Sequence, residues 1–344
     1  MQLKCQRLII AAGIFALASA SGARADGVLN VYAWAESLSP DLIRKFEETT
    51  GTKINFDSFT SNEDALTKLQ IGNSGYDLIT PSQHFVKIMI GEGLLEDFHA
   101  DQIPAFVHVR PEWAHQWWDP TGEYSIPLAW GTTGFTVNRN VYQGPIDSWQ
   151  VFFEPPPELQ GHIADSNSPD EVIAQASIYL DVPLCSEDPQ EMVKVRDLLV
   201  AQKPYVAIYS TDDIGNRISG GEVGAHSWWD GDTLRARLND GAPIEYAMPK
   251  EGLVGWMDSF VIPKGAANMD NAIDFINFMS EPENATVQYN YYGHASPIQI
   301  DESKAIYNKE NAPELFPDVP IVFQPACSPK AQELIARVWQ DVMK

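Results

Sequence analysis

The chain has 344 residues, 47 of them acidic against 23 Lys and Arg, giving a formal charge of −24 at pH 7. A chain this acidic repels nucleic acid and anionic lipid, which argues against both as partners; the charge either steers cationic ligands inward or only maintains solubility. The length suits one large or two medium domains, and three cysteines are too few for a disulfide scaffold.

Lys4 and Arg7 precede a short apolar stretch at 8–20, and Ala23-Arg24-Ala25 follows it. This pattern reads as a secretory signal peptide, residues 1–25, cut after Ala25. Cys5 lies before the apolar stretch and is not placed as a lipid-anchor cysteine would be. No later apolar run approaches the roughly 18 residues of a membrane helix, so the mature chain is expected to be soluble. Loss of Lys4, Arg7 and Arg24 makes it more acidic still. Cys185 and Cys327 remain, and one bridge or two free thiols are equally consistent with them.

The next segments alternate strand and helix. Strands are predicted at 28–33, 53–59 and 76–79. Ser39-Pro40 opens the first helix and Gly51 stops it. Ser61 to Asp64 resembles a capping box, with Asp in place of the usual Glu or Gln. Ser82 caps a helix ending near Gly91. Such alternation predicts a parallel sheet covered by helices. The stretch 124–138 is β-rich and reads as a strand passing between lobes. Helices follow at 169–176 and 189–199, a strand at 223–228 with a helix through Leu234, strands at 244–248 and 260–263, and helices at 270–279 and 329–343. Two α/β lobes suggest a hinged ligand-binding protein.

The chain lacks G-x-S-x-G, H-E-x-x-H, G-x-x-x-x-G-K and G-x-G-x-x-G. Its seven histidines show no metal spacing. The adjacent Tyr291 and Tyr292 read as packing at a strand edge in preference to an iron site. Asn284-Ala285-Thr286 matches a glycosylation acceptor, a pattern common by chance. No metal, cofactor or catalytic residue is expected.

One pattern recurs. Trp34 is followed by Glu36, Trp229 by Asp230 and Asp232, and Trp256 by Asp258, each at a predicted strand end. Strand ends are where open α/β sheets bind ligands, tryptophan faces attract cations, and carboxylates pair with them. Taken singly, each tryptophan could be core or rim packing, Asp232 a helix cap and Glu36 a solvated loop residue. No Arg or Lys lies in these loops. A buried carboxylate without a protein partner needs a ligand charge. Jointly the pairs predict one pocket for an organic cation.

Trp34-Ala35-Glu36, the run from Tyr76 to Ser82, Tyr124-Ser125-Ile126-Pro127 with Trp130-Gly131, Trp256-Met257-Asp258-Ser259 and the helix 272–279 carry a resemblance. Over nearly the whole mature length, the chain resembles the periplasmic spermidine/putrescine-binding proteins of bacterial ABC transporters. The resemblance implies an α/β, two-lobed periplasmic binding fold of type II with the ligand in the inter-lobe cleft. Lobe 1 would comprise 26–133 and 257–302, and lobe 2 would comprise 134–256 and 303–344. Trp34, Trp229 and Trp256 would wall the methylene chain. Asp258 would pair with an amine, and Glu171 would engage an ammonium from the second lobe. Asp232 stands where the putrescine-binding branch has an acid, so it would help decide which amine fits. Glu36 and Ser82 match pocket positions, and Gln324 matches a polar contact. His84 and His294 stand where tyrosines are frequent, with Tyr292 as the alternative to His294. Ser37 and Ser168 are departures that leave putrescine, spermidine or another amine open. The implied role is that of a monomer, without catalytic step or cofactor, delivering a polyamine to a membrane permease. Two other readings are a sugar-binding protein of the same fold and a secreted glycosidase using two of these acids.

Overall fold

A computed structural model describes residues 27–344. The expected signal peptide, its cleavage site and Cys5 lie outside the described residues. Ten strands build the framework: β1 (Val28–Trp34), β2 (Lys53–Phe59), β3 (Leu78–Ile79), β4 (Ser125–Asn138), β5 (Ile163–Asp165), β6 (Val206–Tyr209), β7 (Ala225–Trp229), β8 (Ile244–Tyr246), β9 (Leu253–Val261) and β10 (Ile321–Phe323). They form one sheet in the order β2-β1-β3-β9-β4-β7-β5-β6, with β8 beside β4 and β10 beside β9.

The predicted parallel pairing holds for β1 with β2 and β3, and for β5 with β6 and β7. The centre is built differently. The long strands β4 and β9 run antiparallel to each other, and β4 also runs antiparallel to β7, so the sheet is mixed. The reason is the crossing predicted for 124–138. β4 pairs with β9 along its first part and with β7 from Thr133 onward, and β9 returns alongside. A chain that crosses and comes back pairs with itself in opposite directions.

Two main cores flank this crossing. One gathers Leu29, Val31, Phe46, Phe260, Phe275 and Ile276, and the other gathers Phe135, Trp149, Phe152, Ile163, Val195 and Val338. A smaller core of Leu234, Tyr289, Tyr307, Ala312 and Leu315 joins elements from both sides. Among the described residues, no helix is long and apolar enough to cross a membrane.

Local signals mostly act as expected. The helix Pro40–Thr50 starts with proline and ends where Gly51, at φ 76°, donates its N–H to Glu47. Ser61 accepts the Asp64 N–H at 3.1 Å. Two expectations need correction. Tyr291 and Tyr292 end the helix Pro282–Tyr292, which the sequence did not reveal, and lie on no strand edge. Trp256 sits within β9, because that strand starts three residues earlier and runs on to Val261. Asn284 is buried and donates its amide to the Phe278 carbonyl, so the glycosylation match is not a free surface site.

Cys185 and Cys327, left open by the sequence, are bonded across 142 residues. The bridge ties the loop before the helix Pro189–Gln202 to the segment leading into the helix Pro329–Met343. Closing so long a loop restricts the unfolded chain most. The double variant Cys185→Ser/Cys327→Ser should lose about 2–5 kcal/mol of unfolding free energy in guanidinium titrations. Equal midpoints for the variant and the oxidised protein would contradict this.

Candidate ligand-binding cleft

The two halves of the sheet face each other across a cavity of about 450 Å³. Its floor lies at the crossing, where Thr133 of β4 stands beside Val254 of β9 and Trp229 of β7. All twelve residues singled out from the sequence line this one cavity: Trp34, Glu36, Ser82, His84, Glu171, Trp229, Asp232, Trp256, Asp258, Tyr292, His294 and Gln324. Trp34 ends β1 and Trp229 ends β7. Ser82 and His84 open the helix Gln83–Gly91. Tyr292 and His294 stand at the end of the helix Pro282–Tyr292, so the sequence alternative between them dissolves, since both face the cavity.

Asp258 is the chemical centre. The two-residue period of a strand puts it on the same face as Trp256 and turns Met257 into the core behind. Its carboxylate is buried, and Oδ1 accepts a hydrogen bond from Ser82 Oγ at 2.8 Å. This explains why Ser82, at an N-cap position, does not cap its helix. Asn62 fixes Ser82 in turn: its amide donates to the hydroxyl at 3.1 Å and its Oδ1 accepts the Ser82 N–H at 2.9 Å. Burial pushes the Asp258 pKa up to about 7, against the Ser82 bond and the charge of His294. The Trp34 indole N–H lies close enough to oppose the rise, although it forms no hydrogen bond of normal geometry. Three buried ring nitrogens on the wall, Trp34 Nε1, His84 Nδ1 and Trp256 Nε1, have no hydrogen-bond partner among the described residues. Burial also holds His84 neutral, its pKa down to about 3.

A second acidic group lies on the other wall. Glu171 accepts from Trp229 Nε1 at 3.1 Å and from Ser166 Oγ at 2.7 Å. Enclosure by the protein still raises its pKa above these two opposing bonds. Asp170 beside it rises to about 6, through desolvation and then Glu171. Glu63 reaches toward them from the helix Asn62–Gln70, and desolvation together with these like charges pushes its pKa up as well. Sequence reasoning missed Asn62, Glu63 and Asp170 as cleft residues. Their helix-start roles were legible, but nothing local showed that the two helix starts face each other.

Asp232 requires a correction. The tryptophan loops were read as free of cations, but Arg235, on the same helix (Asp230–Asn239), reaches back to pair with it. His294 Nε2 adds a contact at 3.3 Å. Burial alone would raise the Asp232 pKa, but Arg235 and His294 outweigh it and hold the group below the usual carboxylate range. Asp232 is therefore an internally paired acid and no free counter-charge. The charge balance of the wall remains one-sided, with eight carboxylates and one guanidinium. Outside the cleft, Asp97, His99 and Glu123 bring one ligand atom each within 4.8 Å of one another at the surface, a grouping no sequence spacing revealed.

Residues 41–314 match the family model for bacterial extracellular solute-binding proteins. The chain is 32% identical to the spermidine/putrescine-binding periplasmic protein of Escherichia coli, over 92% of this chain and 90% of that protein. It is 28% identical to a putrescine/agmatine-binding protein of Pseudomonas aeruginosa, over 97% of both. Among solved structures, the substrate-binding protein PotD of a Streptococcus pneumoniae spermidine/putrescine ABC transporter superposes with a TM-score of 0.76 at 26% identity, covering 92% of this chain and 98% of that one. The fold is thus the two-lobed α/β fold of periplasmic binding proteins, and the chain belongs to the bacterial extracellular solute-binding proteins.

Proposed function

We propose that the protein captures a di- or polyamine of the putrescine–spermidine class in the periplasm and delivers it to the permease of an ABC importer. The observation that carries this reading is Asp258: a buried carboxylate with hydroxyl and indole neighbours and, among the described residues, no cation bonded to it. Leaving such a group ionised and unpaired costs several kcal/mol, which an entering ammonium offsets. Trp34, Trp229 and Trp256 supply ring faces for the methylene chain, and each cation–π contact adds about 0.5–2 kcal/mol. Glu171, with Asp170 and Glu63 near it, takes a second ammonium. Ser82 positions Asp258, while Glu36 and Gln324 border the ligand. The named relatives support the ligand class.

The assignment of 26–133 with 257–302 to one lobe, and of 134–256 with 303–344 to the other, fits the crossings in β4 and β9. Acids on opposing walls repel one another while the cleft is empty, so a ligand cation favours closure. The leader at 1–25 directs the chain to the periplasm, where it acts as a monomer. No catalytic step is part of this role.

Calorimetry with putrescine, spermidine, cadaverine and agmatine tests the reading. At least one amine should bind at micromolar Kd or tighter, and Asp258→Asn should weaken it about a hundredfold or more. Absence of heat with every amine, or near-wild-type binding by the variant, would sink the proposal. Salt supplies a second test. Raising NaCl from about 50 to about 500 mM should weaken binding severalfold through screening. An affinity indifferent to salt would instead favour a neutral ligand such as a sugar.

A further inference from the structure

His294 has both ring nitrogens engaged by acids from the opposite wall. Nδ1 lies 2.8 Å from Asp230 Oδ1 and Nε2 lies 3.3 Å from Asp232 Oδ2, and the ring is almost wholly enclosed. Two aromatic rings meet it in T-shaped contacts, Trp256 at 4.8 Å and Tyr292 at 4.4 Å between centroids. A neutral imidazole has one N–H and could satisfy one carboxylate only, whereas an imidazolium donates to both. The arrangement therefore calls for the charged form.

The surroundings of this cation are fixed. Asp230 is buried and also accepts the Thr132 N–H at 2.7 Å, the Thr132 hydroxyl at 3.0 Å and the Gly231 N–H at 2.6 Å. Asp232 is shared with Arg235, which also donates to the Tyr292 carbonyl. Gly231 has no room for a side chain, since a Cβ there would come within 2.5 Å of the Gly293 carbonyl and His294 Nδ1. The charged groups facing His294 are thus Asp230, Asp232 and Arg235 from the helix Asp230–Asn239, and Asp258 from β9. Two acids meet two cations within the protein, and Asp258 alone is left over at this end. The imidazolium occupies a position, lined by two carboxylates and two aromatic rings, whose chemistry suits an organic ammonium.

We propose that His294 is a resident cation that occupies an ammonium position of the cleft and so limits the number of positive charges the ligand brings. The proposal rests on reading the cleft as an amine site. It makes His294 a determinant of selectivity between dications and trications, acting through charge and without a direct bond to the ligand. Burial by itself would lower the His294 pKa, but the bonds to Asp230 and Asp232 and their charges outweigh it, so the net shift is upward. The two acids therefore hold the proton on His294 to higher pH than on a free imidazole.

The test is the ratio of putrescine to spermidine affinity, measured by calorimetry at pH 7.5 in wild type, His294→Gln and Asp232→Asn. Replacing the cation by a neutral amide should move the ratio toward spermidine by at least about tenfold, the scale of one unit charge roughly 12 Å away at the effective dielectric of a protein. Asp232→Asn leaves Arg235 uncompensated and should move the ratio the other way. General loosening of the fold would weaken both amines alike and leave the ratio unchanged. Imidazole NMR should show one doubly protonated histidine at pH 7.5 that is absent from His294→Gln. A ratio unchanged in both variants, or a neutral His294 resonance, overturns the proposal while amine binding by wild type keeps the amine reading intact. Failure of wild type to bind either amine would remove both.

Discussion

An uncompensated carboxylate at the crossing of two lobes governs the rest of this structure. β9 carries Asp258 inward on the face shared with Trp256, and no cation among the described residues bonds to it, because Arg235 is committed to Asp232 and His294 to Asp230 and Asp232. The hydroxyl of Ser82 supports it without neutralising it. Such a group is costly to maintain, and its presence makes sense where a cation completes it from outside. The same argument applies more weakly to Glu171, Asp170 and Glu63, which crowd one another near the rim with their pKa values raised. The architecture thus stores an electrostatic deficit in a cleft walled by indole rings.

The fold makes that deficit possible. β4 and β9 cross between two separately cored halves, so Trp256 and Asp258 on the cleft face of β9 belong to neither core. Asn62 and Ser82 then lock the carboxylate from one side, while Ser166 and Trp229 lock Glu171 from the other. Asp258 is held from one half and Glu171 from the other, while His294, Arg235 and the smaller core join the halves beside them. A cation that both walls attract would couple its binding to their approach, as the proposed role requires.

Much of this was legible in the sequence because the signals are local. Proline and glycine punctuation marked the helix Pro40–Thr50, and the β-rich stretch after Tyr124 announced the crossing strand. The tryptophan–acid pairs found the cleft because strand ends and strand faces converge there. What stayed hidden depends on contacts distant in sequence. The antiparallel centre of the sheet follows from the return of β9. The pairing of Asp232 with Arg235 is one helical turn long, yet a loop-by-loop count of charges ends before it. The partnership of His294 with Asp230 spans 64 residues and leaves no periodic trace. The helix Pro282–Tyr292 lacks a clear apolar face, since Asn284, Thr286 and Gln288 are buried along with Ala285 and Tyr289, so hydrophobic periodicity passes over it.

The central claim is that Asp258 lacks a cation until the ligand brings one, and proton uptake and release measure this directly. The free carboxyl is held at a pKa of about 7, and an ammonium at its side lowers that value. Putrescine binding should therefore release protons when the starting pH is near or below 7, approaching one per ligand at about pH 6, and none by about pH 9. Calorimetry at pH 6.5 in two buffers of different ionisation enthalpy counts them. A release of more than half a proton in wild type, reduced in Asp258→Asn by the share of that carboxyl while Glu171, Asp170 and Glu63 keep theirs, is the predicted result; binding with no proton exchange would show that the ligand's charge is met elsewhere.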